Sequence, residues 1–86
     1  MSDGNPHGNN PEQWTKLLEL LDEKLQLGLL DKLRRVNAYH FEATTLIIEP
    51  GSSEDENYLV KPATNQQLSV FAEDATGVTE VKIKHL

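Results

Sequence analysis

The chain has 86 residues, with 14 acids against 8 lysines and arginines for a net charge of −6, and no cysteine. A chain of that length is one domain, burying about 60 % of its unfolded surface and leaving no room for a deep substrate cavity beside the core. The absent cysteines exclude a disulfide framework, a thiolate metal site and a cysteine nucleophile. The acid excess argues against a binder that draws its affinity from phosphates, and no apolar run approaches the ~18 residues of a membrane helix.

Residues 1–9 are mostly Gly, Asn, Ser and Pro, with no apolar residue after Met1, which predicts a disordered tail or linker ahead of a single domain over 10–86. Asn10-Pro11-Glu12-Gln13 is a helix start: Asn is a good N-cap, Pro suits the first helical position, and Gln at the third can reach back to the cap. Trp14, Leu17, Leu18, Leu21 and Leu25 then follow at helical spacing and predict one buried face, with Trp14 in the core and Gly28 as the stop. A short second helix is expected from Leu29 to Arg35, with Leu30 and Leu33 inward.

Val36 to Glu42 is rich in β-branched and aromatic side chains and reads as a strand. Ala43-Thr44 forms the turn and Thr45 to Glu49 the return, an antiparallel hairpin with Leu46 and Ile48 on one face and Ile47 on the other. Pro50-Gly51 ends it. Ser52 or Ser53 caps a helix whose first turn holds Glu54, Asp55 and Glu56, placed where carboxylates favour the helix dipole. Tyr58 and Leu59 give that helix its apolar contact before Pro62. Thr64-x-x-Gln67 predicts a further capping box, and Leu68, Phe71, Ala72 and Ala75 a buried face closed by Gly77. Val78 to Lys84 alternates apolar and polar as a half-buried strand does.

The predicted order is α-α-β-β-α-α-β, an α+β domain in which helices cover one face of a three-stranded sheet. This is close to the αββααβ order of the bacterial, type II KH-like fold. A nucleic-acid-binding KH domain clamps the backbone with a GxxG loop between its paired helices. GxxG occurs nowhere in this sequence, and the corresponding loop is Val60-Lys61-Pro62-Ala63.

Trp14-x-x-Leu17-Leu18, the segment Ala38 to Ile48, Tyr58-Leu59-x-x-Pro62-x-x-Asn65 and Gly77-Val78-x-x-Val81-x-Ile83 together make a pattern that covers nearly all the chain from Pro11. It resembles the C-terminal domain of the gamma/tau subunits of bacterial DNA polymerase III, the clamp-loader ATPase subunit. The N-terminal domain of the replication initiator DnaA is similar in layout. The resemblance implies a KH-like fold and a role in DNA replication: holding other replisome proteins, chiefly the polymerase III alpha subunit or the replicative helicase, at the clamp loader. Any ATPase activity would belong to the full subunit, since no Walker GxxxxGK[ST] occurs here.

Read from the residues, the candidate interaction side chains are Arg34, Arg35, Tyr39, Phe41, Lys82 and Lys84. The first reading is a non-catalytic protein-interaction domain, cytoplasmic and bacterial, with no cofactor, metal or membrane. The second is a single-stranded nucleic-acid binder in which Tyr39 and Phe41 stack on bases while the arginines and lysines contact phosphates. The serines, histidines and acids form no triad or dyad by spacing, so an enzyme is not expected. His7 is read as incidental and His40 as a structural or surface histidine with no partner at ligand-like spacing, and the chain lacks EF-hand spacing.

Overall fold

Capping and apolar spacing set the elements of the structure, a computed structural model that describes residues 8–85. They are α1 (Pro11–Glu23), α2 (Leu27–Arg34), β1 (Ala38–Glu42), β2 (Thr45–Glu49), α3 (Ser53–Val60), α4 (Pro62–Thr76) and β3 (Glu80–Ile83). The order and the α+β class are those predicted. In the sheet, β2 is central: β1 pairs with it antiparallel, with Tyr39 opposite Ile48 and Phe41 opposite Leu46, and β3 pairs with it parallel, with Val81 opposite Leu46. Parallel neighbours need a crossover, and α3 with α4 supply it. One residue, Lys61, separates those two helices, so no loop of the GxxG kind exists there.

The core is one cluster. Trp14, Leu17 and Leu21 of α1, Leu29, Leu30 and Leu33 of α2, Leu59 of α3, and Leu68 and Ala72 of α4 close on Tyr39, Leu46, Ile48 and Val81 of the sheet. The period of 3.6 on the helices and of 2 on the strands aims these side chains at one interior. No helix among the described residues is long and apolar enough to cross a membrane.

Several boundaries differ from expectation. Helix α1 ends before Leu25, not at Gly28. The N–H groups of Leu25 and Gln26 donate to the carbonyls of Asp22 and Leu21 at 3.1 and 2.8 Å, a Schellman closure in which Leu25 takes φ +60°. Leu25 is therefore 76 % exposed instead of on the buried stripe. Gly28 falls in the first turn of α2, where an added Cβ would sit 2.8 Å from the Tyr58 hydroxyl; its role is close approach, not termination. Helix α4 begins at Pro62, ahead of Thr64, because proline's fixed φ suits a first helical position. The expected Thr64–Gln67 capping box is thus interior. The strands are shorter than expected, β1 starting at Ala38 and β3 at Glu80.

A left-handed leucine is strained by about 1 kcal/mol or more relative to glycine. Leu25→Gly forfeits little packing, so it should raise stability by about 1 kcal/mol in urea unfolding. A loss of stability would show that Leu25 has contacts that matter. Ala43, at φ +53° in the two-residue hairpin turn, stores strain of the same kind.

Candidate interaction surface

The helices occupy one face of the sheet, and side chains on the other alternate with the core residues. Cross-strand register sets three rows there: Ala38 beside Glu49, then His40–Ile47–Lys82, then Glu42–Thr45–Glu80. Lys84 extends the first row, its Nζ 4.0 Å from Glu49 Oε1. None of these nine side chains is buried. Ile47 is the apolar centre, with cationic groups on one flank and carboxylates around them. A recess of about 60 Å³ lies among Ala38, His40, Ile47, Glu49 and Lys84, far below the ~300 Å³ or more of a small-molecule pocket. A larger hollow of about 620 Å³ between α1 and α4 is open and lined by Lys16, Glu19, Asp22, Glu23 and Asp74.

The structure separates the six predicted site residues. Tyr39 is 5 % exposed and stacks on Trp14 at 4.3 Å between ring centroids, with planes 4° apart. Phe41 meets Tyr39 edge-on at 5.7 Å and is partly buried. Both rings lie on the helix side, so the base-stacking platform of the second reading does not form: strand alternation turns them away from the open face. Burial pushes the Tyr39 phenol up, and a backbone hydrogen bond from Asn10 pulls the other way.

Arg35 is not a free phosphate contact either. Its Nε and Nη2 donate to Asp55 Oδ2 and Oδ1 at 3.2 and 2.8 Å, and its Nη1 donates to Asp31 Oδ2 at 2.8 Å. The Arg35 hydrogen bonds hold the Asp55 carboxyl below the usual carboxylate range against a burial that opposes them, and the bond to Asp55 raises the guanidinium in turn. Arg34 and Lys82 are exposed and make no ion pair among the described residues. Of the six residues, Lys82 and Lys84 share the open face.

Sequence reasoning missed Asp55, which is 2 % exposed. Ser52 Oγ accepts from its N–H at 3.2 Å as the N-cap of α3, in line with the capping expectation. It also missed what two asparagines do at the sheet edges. Asn65 Nδ2 donates to the Val81 carbonyl at 3.3 Å. Asn9 accepts from Phe41 N–H at 2.8 Å and donates to Phe41 C=O at 2.7 Å. Of the expected tail, residues 1–7 lie outside the described residues, whereas Gly8 and Asn9 lie along β1. Among the described residues, no group of three or more His, Cys, Asp or Glu is placed to hold a metal ion.

The class these observations define is a small α+β domain with KH-like element order and one sheet face that no element among the described residues covers. No protein-family model, curated protein or solved structure matches the chain significantly.

Proposed function

We propose that this chain is a non-catalytic, cytoplasmic protein-interaction domain like the C-terminal domain of the gamma/tau subunits, tethering replisome partners in DNA replication. The observation that supports it most is the uncovered sheet face centred on His40, Ile47 and Lys82. All the core-forming side chains point the other way, which leaves an exposed surface mixing one apolar centre with both signs of charge. Protein interfaces combine an apolar centre with a polar rim in that way.

The test is binding of purified polymerase III alpha subunit and replicative helicase to the immobilised chain. Micromolar binding to at least one is expected, weakened about tenfold by Lys82→Glu or Ile47→Thr, which remove the cation and the apolar centre while keeping strand-compatible side chains. Binding to neither at micromolar concentration would overturn the reading. A single-stranded oligonucleotide is the control: retention that falls steeply with salt would point to phosphate contacts instead.

A further inference from the structure

An outer strand presents a row of unpaired main-chain groups to any chain able to pair with it. At β1 that row is blocked locally. The Asn9 carboxamide makes with Phe41 both bonds that a residue on a neighbouring strand would exchange. Gly8 presses on the Tyr39 ring so closely that a Cβ there would overlap it. Asn10, the next residue, accepts from Gln13 N–H at 3.2 Å and begins α1. Tyr39 and Phe41 are two apart, so their main-chain groups face the same free edge.

We propose that residues 8–10 are a clip that closes β1, and that opening it lets β1 pair antiparallel with β1 of a second copy about a two-fold axis at His40. In that register Tyr39 of each copy lies opposite Phe41 of the other, and the outward main-chain groups of both become hydrogen-bonded pairs. On the open face Glu42 falls opposite Ala38 of the second copy and diagonal to its His40. No two carboxylates are directly opposed, and each His40 gains an acid within diagonal reach. The two sheets become one, with both open faces on the same side. The clip is light: both Asn9 bonds are exposed, and bonds of that kind contribute about 1 kcal/mol or less.

The experiment is light scattering after size exclusion at about 100 μM, where weak pairing is populated. The unaltered chain should run at its 9.7 kDa. Gly8→Val with Asn9→Ala should shift it toward twice that mass. Adding His40→Glu, which puts like charges opposite each other on an exposed position, should weaken the association about tenfold. Adding Glu73→Lys instead, on an exposed position of α4 away from the edge, should leave it unchanged. A clip-opened chain that stays monomeric, or a dimer indifferent to His40→Glu, would overturn the proposal. So would an unaltered chain that is already dimeric. If the double variant does not fold, Asn9→Ala alone, which removes only two exposed hydrogen bonds, is read by the same criteria.

Discussion

Trp14→Ala is expected to cost about 3–5 kcal/mol, while Trp14→Phe costs less than about 1.5 kcal/mol. Trp14 is 4 % exposed and lies flat on Tyr39, which in turn meets Phe41 edge-on. Removing the ring therefore opens a cavity and breaks a stack worth about 0.5–1.5 kcal/mol beyond the buried area. The phenylalanine variant keeps a ring against Tyr39. It also gives up no hydrogen bond, because the buried Trp14 Nε1 has no partner among the described residues. Losing an unsatisfied buried donor offsets part of the lost volume. A domain of this size is stable by only about 5–10 kcal/mol, so the alanine variant should unfold at far lower urea. Phenylalanine proving as damaging as alanine would mean the indole N–H is bonded after all.

The second large effect is on the dependence of stability on pH. The Asp55 carboxyl is held below its ordinary value by Arg35, so the folded chain binds this proton less readily than the unfolded one. A depressed folded value contributes stability that is fully present above the unfolded value, near 3.9, and is lost as pH falls from there through the folded value. Arg35→Ala leaves Asp55 buried without its bonded cation, and the Coulombic pull of Lys32 is then all the cationic help set against desolvation, which raises the carboxyl. The expected result is a variant strongly destabilised at pH 7 that closes on the parent as the pH falls toward 3. Asp55→Asn should also lose the acid-sensitive part. Equal stability differences at pH 7 and pH 3 for Arg35→Ala would show that the charge pair is not the source of the loss.

The fold was legible because its signals are local. Asn10-Pro11 at the start of α1, the stripe of Trp14, Leu17 and Leu21, alternation around Leu46 and Ile48, and Gly77 at φ +86° each act over a few residues. Local signals also misled where two competed. Pro62 and Thr64 both mark a helix start, and proline, the earlier of the two and next to α3, took the position. Gly28 looked like a stop, but the left-handed residue is Leu25. The long-range contacts were not legible at all. Asn9 reaches Phe41 across 32 positions, and Arg35 reaches Asp55 across 20. One signal was present for Asp55: it lies four before Leu59, so within the acidic run it shares that residue's buried helical face. The site was less legible than the fold, because aromatic residues on a strand can face either side. Only the helix contacts place Tyr39 and Phe41 inward and leave Lys82 outward.

The most direct test of the uncovered sheet face as the docking surface is an NMR titration of the isotope-labelled chain with polymerase III alpha subunit or helicase. The account predicts that the largest amide perturbations fall on His40, Ile47 and Lys82 and their row neighbours. Perturbations confined to the outer surfaces of α1 and α4, with those three residues unmoved, would contradict it.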